Sequence, residues 1–221
     1  MNPRLIYEKF LLKVNKGATN ADAAIDTQRF CLIFNECKNR WVEKGLKNKD
    51  SILIDALYQV IKTTVLQDPI TSENYCEFTV PEDYYQFIGA TVLTERNKCR
   101  RNLFIREVKN QNKQILRFDL NQAPDFDYEW TFCSIQSGVI RIYKREFDII
   151  NTSVEYYSTI PDIDIAGAED IDGNPTRDIP LDVISDQYID QIINLAAEEF
   201  MRDFQNPQGI QIAENRTNSE K

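Results

Sequence analysis

The chain has 221 residues, which allows one large domain or two small ones with a sizeable core. Acidic residues outnumber basic ones by 35 to 26, and the net charge of -9 at pH 7 disfavours a domain that binds nucleic acid through its overall charge. Histidine does not occur in the sequence, which excludes Ser-His-Asp triads, Cys-His nucleophiles and histidine-ligated zinc.

Cysteine usage and hydropathy indicate a reducing compartment. The cysteines are scattered and never form a Cys-x-x-Cys pair, so neither a disulfide framework nor a zinc site is expected. No run of 18 apolar residues occurs, and residues 1–9 reach charged side chains too soon for a signal-peptide core. We therefore predict a protein that is made and kept in a cytosol, without a membrane partner. We expect free and mostly buried thiols at Cys31, Cys37, Cys76, Cys99 and Cys133.

The N-terminal part of the chain has a helical pattern. A stripe of apolar residues predicts a first helix that ends near Gly17. Thr19 or Asn20 can cap a second helix, which we expect to run to about Lys44 and to stop at Gly45.

A third helix is predicted after this stop. Asp50 or Ser51 can cap it, and its apolar residues continue at helical spacing as far as residue 66. The Asp68-Pro69 pair then ends the helical block, because the residue before a proline avoids the helical conformation.

The pattern changes to strands between residues 74 and 158. Apolar and polar residues alternate in short runs, and Ser137-Gly138 between two of these runs predicts a hairpin turn. This spacing favours an antiparallel sheet or a small sandwich over a doubly wound fold. The candidate strands are residues 76–80, 87–93, 103–108, 115–118, 128–135, 139–147 and 154–157.

Residues 160–180 form a long acidic connection with several prolines and glycines. Ser185 then caps a last helix, whose apolar residues share one face. The sequence thus predicts an α+β fold: an N-terminal helical bundle with an antiparallel β-sheet or sandwich insert and a returning C-terminal helix. Its expected parts are a helical part (1–70), a strand-rich part (71–160), the acidic connection with the helix that joins the bundle (161–205), and a flexible tail (206–221).

Candidate chemistry is sparse. The chain has seven glycines and no Gly-Lys-Ser/Thr loop, so we expect no nucleotide hydrolysis, no cofactor and no metal site. One weak set resembles a restriction-type nuclease, in which Asp83 and Glu107 would bind Mg²⁺ and Lys109 would steady the attacked phosphate. An ordinary solvated strand face offers the same residue types, so both interpretations stay open.

The stretch 96–117 is strongly basic. It carries eight arginine and lysine residues and a single acidic residue, Glu107. Such a stretch can contact phosphates, meet an acidic surface of a partner protein, or form a solvated hairpin. The sequence leaves these three interpretations open.

The order of the parts resembles a known class of proteins. A helical bundle, a strand-rich insert, an acidic proline-rich connection, a late helix and a loose tail follow one another, as in the head-to-tail connector (adaptor or ring) proteins of short-tailed bacteriophages, and most closely those of crAss-like phages. The resemblance covers most of residues 1–205. The stretches that carry it are NADAA (20–24), TVPEDYY (79–85), VEYYSTIP (154–161), IPL (179–181) and YIDQIINLAAEE (188–199).

The resemblance implies a structural virion protein without enzymatic activity. Such proteins form a ring, here expected to be a dodecamer, beneath the portal at the neck of the virion. The ring extends the channel through which genomic DNA passes without specific binding, and it offers the tail or a neighbouring ring protein a docking surface. The alternatives are the Mg²⁺-dependent nuclease and another phage neck or tail completion protein with the same layout.

A head-to-tail ring needs two unlike, complementary surfaces on every subunit. We expect the basic stretch, through Arg100 and Arg101, to meet the acidic connection of a neighbour, through Asp170 and Asp172. The tail carries Ile210 and Ile212 in alternation within a polar segment. This pattern is typical of a strand that pairs with a foreign sheet edge.

Overall fold

The computed structural model describes residues 1–17, 25–48, 56–109, 116, 119, 122–167 and 175–205. Within these residues the fold is α+β, with three helices and an eight-stranded sheet. The chain divides into two compact units. The helical unit comprises Met1–Gln59 together with Ile160–Lys221, and the sheet unit comprises Val60–Thr159.

The helical unit contains helices α1 (Pro3–Gly17), α2 (Thr27–Asn48) and α3 (Asp186–Gln205). Helix α3 packs against both α1 and α2. The Phe10 ring on α1 joins the three helices, because it lies 4.9 Å from the Phe30 ring on α2 and 5.7 Å from the Phe200 ring on α3. The predicted apolar face of α3 is buried from Ile189 to Phe200, as its helical spacing requires.

The predicted limits of the first two helices are partly right. Helix α1 ends at Gly17 as expected, whereas α2 continues past the predicted stop at Gly45 to Asn48. Gly45 is buried within the helix and keeps a negative φ. A glycine ends a helix when it adopts the left-handed conformation, and Gly45 does not. The proposed caps Thr19 and Asn20 lie outside the described residues.

The helical interpretation of residues 61–66 is wrong. Ala56 and Leu57 are helical and a short 3₁₀ turn covers Tyr58–Val60, but Ile61–Leu66 forms strand β1. Four of these six residues are β-branched, and β-branched residues favour the extended conformation. The proposed caps Asp50 and Ser51 lie outside the described residues.

The strands form one sheet in the order β1-β8-β4-β5-β6-β7-β3-β2. All neighbours are antiparallel except β5 and β6, which run parallel, contrary to the expectation of a purely antiparallel sheet. The predicted strand at 115–118 lies largely outside the described residues. The remaining strands are β2 (Ile70–Thr71), β3 (Tyr75–Thr79), β4 (Tyr84–Arg96), β5 (Cys99–Glu107), β6 (Trp130–Gln136), β7 (Val139–Tyr143) and β8 (Asp148–Ser158).

The sheet is curled, and its connections require this. Strands β1 and β2 are the two edges of the sheet, yet only residues 67–69 separate them along the chain. Four residue steps span at most about 14 Å, whereas the edges of a flat eight-stranded sheet lie about 34 Å apart. The curl encloses a core that includes Leu66, Phe78, Val92, Leu103 and Tyr156. The described strands therefore enclose this core with one sheet, without the second sheet of a sandwich.

The predicted hairpin turn is confirmed. Strands β6 and β7 pair directly, and Ser137 and Gly138 between them have φ angles of 51° and 75°. Two positive φ angles in a two-residue loop match the twist of antiparallel strands. The carbonyl of Gly138 also accepts a hydrogen bond of 3.0 Å from the amide of Val80. None of the helices within the described ranges has the length and apolar character needed to span a membrane.

Candidate functional site

The basic stretch is largely paired within the sheet unit. Arg100 Nε contacts a Glu95 carboxylate oxygen at 2.7 Å. Arg101 donates at 3.2 Å both to the Glu129 carboxylate and to the Asp127 carbonyl. The sequence shows a single acidic residue inside the stretch, but the fold brings in acidic residues from outside it. The predicted interface residues Arg100 and Arg101 therefore already have intrachain partners.

A tight turn supplies the two partners of Arg101. Asp125 and Trp130 exchange two backbone hydrogen bonds of 3.0 and 3.2 Å. The Asp125 carboxylate also accepts hydrogen bonds from the amides of Asp127 and Tyr128, at 2.7 and 3.0 Å. Glu129 closes the turn with a φ angle of 58°. We call residues 125–130 the 125–130 turn.

Arginine side chains hold this turn against the sheet. Arg96 forms two hydrogen bonds to the Asp127 carboxylate, at 2.7 and 2.8 Å. The guanidinium groups of Arg96 and Arg101 lie 4.6 and 5.3 Å from the centre of the buried Phe126 ring. Charge-assisted hydrogen bonds and cation–π contacts together hold these arginines against the turn. The Arg96 pair also lowers the pKa of Asp127 below its ordinary value.

Exposed aromatic residues lie beside this turn. Tyr128 in the turn is 83% exposed, and Phe104 on β5 is 72% exposed. The half-buried Trp130 pairs with Phe104 in the β5–β6 register, and the Phe104 amide donates to the Glu129 carbonyl at 3.0 Å. We call Phe104, Tyr128 and Trp130 the aromatic patch. Sequence reasoning missed it, although the alternation of Phe104 with the buried Leu103 and Ile105 already indicated an outward direction.

Two cations at the patch have no carboxylate partner within the described part of the chain. Arg106 is exposed on the same face of β5 as Phe104, and Lys109 follows the strand. Neither forms an ion pair among the described residues. A groove of about 730 Å³ continues from the patch. Its lining residues are Arg106, Glu107, Val108, Lys109, Leu116, Gln122 and Trp130.

The acidic connection is anchored to α2 at its start. The buried Lys38 side chain donates to the carbonyls of Ile160 and Pro161, at 3.0 and 2.9 Å, and to the Asp162 carboxylate. One turn earlier on the helix, the Asn35 side chain exchanges two hydrogen bonds with the backbone of Ile163, at 3.0 and 3.1 Å. Burial lowers the pKa of the Lys38 amine, while its hydrogen bond to Asp162 acts in the opposite direction.

The two arms of the connection are tied together. Ile179 pairs with Asp164 through a backbone hydrogen bond of 3.0 Å. The Ala166 amide donates to the Asp178 carboxylate, and the Thr176 hydroxyl to the Ile165 carbonyl, both at 2.8 Å. The predicted interface residues Asp170 and Asp172 lie between these arms, outside the described residues. Ile210 and Ile212 also lie outside them.

The predicted nuclease residues have other partners or lie apart along the sheet. The Asp83 carboxylate accepts hydrogen bonds from Lys62 and from the Tyr156 hydroxyl, at 2.5 and 2.8 Å. The β4–β5 register pairs Ala90 with Ile105, so Glu107 comes level with residue 88, five residues along β4 from Asp83. No group of three possible metal-ligating side chains occurs within the described ranges.

The thiols have the character expected from the sequence. All five cysteines are free; four are buried, and Cys99 is exposed. Burial raises the pKa of Cys31 to about 11 and that of Cys133 to about 12. These two thiols are therefore protonated at neutral pH, and a protonated thiol is a poor nucleophile.

The helical unit carries a second groove, of about 520 Å³, between α2 and α3. Charges of both signs border it, and Arg40 contacts Glu199 across it at 3.2 Å. The indole Nε1 of Trp41 donates to Gln191 at 3.4 Å.

Comparison of the sequence with models of known protein families and with curated proteins gave no match to either.

Proposed function

We propose that this protein is a structural virion component, a ring subunit at the portal vertex that connects the capsid to the tail and extends the DNA channel. The observation that carries the proposal is the order of the parts. Both ends of the chain contribute helices to one unit, and the curled sheet is inserted between them. This is the order on which the resemblance to phage connector proteins rests.

The electrostatics support a conduit that does not bind its cargo. The net charge of -9 repels DNA phosphates. The basic residues Arg96, Arg100 and Arg101 are each paired with a carboxylate of the same unit, which reduces their attraction for phosphate. DNA would pass such a surface without being held.

Assembly requires each subunit to present complementary surfaces to its neighbours. In this proposal the basic stretch of one subunit meets the acidic connection of the next. The sequence pattern favours Arg100 and Arg101 opposite Asp170 and Asp172. The tail, through Ile210 and Ile212, adds a strand to the sheet edge of the portal or of a neighbouring subunit.

The direct test is the assembly state of the full chain. Light scattering and negative-stain imaging of the purified protein, alone and with its portal, should show a closed ring, and mass spectrometry should detect the protein in purified virus particles. A protein that stays monomeric with and without the portal and is absent from particles would contradict the proposal.

Charge reversal tests the pairing of surfaces. Changing Arg100 and Arg101 to Glu should block ring formation, and Arg reversals at Asp170 and Asp172 should restore it. Arg145→Glu, at an arginine outside the basic stretch, is the matched control and should assemble normally. Rings that form equally well in all of these variants would remove Arg100 and Arg101 from the interface.

The same purified protein tests the nuclease alternative. Incubation with duplex DNA and Mg²⁺ should leave the DNA intact. Cleavage that is lost in Asp83→Asn and Lys109→Met would replace the structural role with a catalytic one.

A further inference from the structure

We propose that the aromatic patch, together with Arg106, is the surface on which a second copy of this chain docks through its acidic connection, residues 160–180. This inference rests on the proposed function and names the contact between neighbouring subunits. It moves the centre of the interface from Arg100 and Arg101, which have intrachain partners, to neighbouring residues that have none among those described.

The exposure of the patch is the first observation in its favour. Phe104 and Tyr128 are 72% and 83% exposed, although large aromatic side chains gain most from burial. Phe104 is the register partner of Trp130, and Tyr128 lies two residues before Trp130 in the 125–130 turn, so the exposed aromatic residues are grouped rather than scattered. Contiguous exposed apolar surface with a polar rim is typical of a protein interface. Tyr, Trp and Arg are also the residue types that contribute most to binding at such interfaces.

The rigidity of the 125–130 turn is the second observation. Three sets of hydrogen bonds fix its shape: the backbone pair of Asp125 and Trp130, the two from amides to the Asp125 carboxylate, and the two from Arg96 to Asp127. Within this turn, Phe126 is the residue that packs into the core of the sheet unit. The side chain of Tyr128 is therefore not needed for core packing. A tyrosine held in place before binding loses little conformational freedom when a partner covers it.

The face around the patch is large enough for a subunit interface. Val65, Ser153, Thr91, Phe104 and Trp130 lie in one register row across β1, β8, β4, β5 and β6. Five strands span about 24 Å and the nine residues of β5 about 30 Å, which gives about 700 Å². A stable interface buries about 600–1,000 Å² on each partner, so this face falls within the range.

Charge complementarity identifies the occupant. Arg106 and Lys109 rim the patch without an ion-pair partner in the described ranges, and the chain as a whole is acidic. Its most acidic connection, residues 160–180, contains six carboxylates and one arginine. Asp162 and Asp178 pair with Lys38 and Arg4 of the same chain, so the contact falls to the carboxylates between them. Arg106 would pair with a carboxylate of the neighbour while Phe104 and Tyr128 exclude water from the contact. Because patch and connection are different surfaces, each copy can use both at once, as a closed ring requires.

The first experiment compares assembly of two variants of the full chain. Phe104→Ser combined with Tyr128→Ser should raise the concentration needed for half-maximal assembly at least tenfold, measured by light scattering over a dilution series. Ile70→Ser is the matched control, because Ile70 is 69% exposed on the edge strand β2, three strands away from β6, and it should assemble like the wild type. Urea unfolding of each variant verifies that the fold is retained.

The second experiment identifies what covers the patch. A photocrosslinking phenylalanine analogue at position 128 should form covalent dimers, and the linked peptides should map to residues 160–180 of the other copy. Crosslinks to another region, or equal assembly of the double variant and the control, would overturn this inference while leaving a wild-type ring intact. A wild type that forms no ring would instead contradict the proposed function.

A third experiment distinguishes a second copy of the chain from a nucleic acid as the ligand of the patch. Aromatic side chains beside cations can also stack with single-stranded bases. Fluorescence anisotropy with a labelled single-stranded oligonucleotide should show no binding that depends on Phe104 and Tyr128. Loss of oligonucleotide binding in the double variant, with assembly unchanged, would assign the patch to nucleic acid and overturn the proposal.

Discussion

The amine of Lys38 lies inside the helical unit, where three oxygen acceptors surround it. Two are the carbonyls of Ile160 and Pro161, and the third belongs to the Asp162 carboxylate. These carbonyls come at the point where the chain leaves the sheet unit, so a single side chain on α2 fixes the start of the connection. A buried cation is tolerated here because each of its protons has an acceptor.

Lys38→Met should lower the free energy of unfolding by about 2 kcal/mol, because the carbonyls of Ile160 and Pro161 lose hydrogen bonds from a charged donor. Lys44→Met is the matched control on the exposed side of the same helix, and we expect a change within about 0.5 kcal/mol. Urea unfolding followed by circular dichroism measures both. Equal midpoints for the two variants would show that the Lys38 contacts add nothing.

Asp83 gives the sheet unit a defined response to acid. Its hydrogen bond with Lys62 holds the pKa of the carboxyl below the ordinary 3.8, and the Tyr156 hydroxyl acts in the same direction. A lowered pKa in the folded state means that this stabilisation is complete above the pKa of the unfolded chain. It is lost as the pH falls through the folded value.

Between pH 6 and pH 3, the wild type should therefore lose more free energy of unfolding than Asp83→Asn. The difference should stay below about 1 kcal/mol, because the pair is partly exposed and screened by solvent. Asp148→Asn serves as the control, since that carboxylate is 85% exposed, and it should keep the wild-type dependence on pH. Urea midpoints at both pH values test this, and identical slopes for all three proteins would contradict it.

At the scale of elements, the 125–130 turn explains what Arg96 and Arg101 of the basic stretch contact in the folded chain. Its short loop places Phe126 in the core and Asp127 and Glu129 within reach of arginines on β4 and β5. These carboxylates and arginines lie more than 20 positions apart in the sequence, so a count of charges within one stretch does not reveal their pairing. The turn is thus a contact between elements that are distant along the chain, and Arg96 is its main support.

Arg96→Met should lower the urea midpoint of unfolding, because it removes both hydrogen bonds to Asp127 and the cation–π contact with Phe126. Hydrogen exchange at the amides of Asp127 and Tyr128 should become faster as the turn loosens. Arg100→Met removes a single exposed ion pair on the next strand and should change stability by less than about 0.5 kcal/mol. Unchanged exchange in Arg96→Met would show that the turn holds its shape without this contact.

At the scale of the whole molecule, the chain places its surfaces of interest on different parts of the fold. The aromatic patch lies on the sheet unit, whereas the acidic connection belongs to the helical unit. A subunit that carries complementary surfaces on separate parts can bind one neighbour through each. This arrangement suits a head-to-tail ring, and it makes the remaining segment, the tail, a candidate for contacts outside the ring.

Deleting residues 206–221 should weaken docking to the portal at least tenfold, because it removes the alternating Ile210 and Ile212 that would pair with a sheet edge. The urea midpoint of the monomer should stay the same, since the tail follows the end of α3. Replacing both isoleucines with serine in the full chain is the matched variant and should reproduce the loss. Binding to immobilised portal measures the effect, and undiminished binding would remove the tail from the interface.

Local sequence patterns fixed several parts of the fold in advance. Helical spacing identified α1 and the buried face of α3, and the Ser137-Gly138 turn followed from the conformational needs of a two-residue hairpin. The same patterns failed at residues 61–66, where apolar residues at helical spacing belong to a strand. A short apolar run is compatible with both the helical and the strand period. The pairing of β1 with β8 makes this run a strand.

The sequence by itself determined the properties that depend on composition and on neighbouring residues: the absence of histidine chemistry, the free thiols, the acid excess and most of the regular elements. Only the tertiary structure decided the curl of the sheet, the parallel pairing of β5 with β6, and the partners of Arg96, Arg100 and Arg101. It also decided that Phe104 and Tyr128 stay exposed while Phe126 is buried. Periodicity acts over a few residues, whereas these outcomes depend on which distant strands and carboxylates the folded chain brings together.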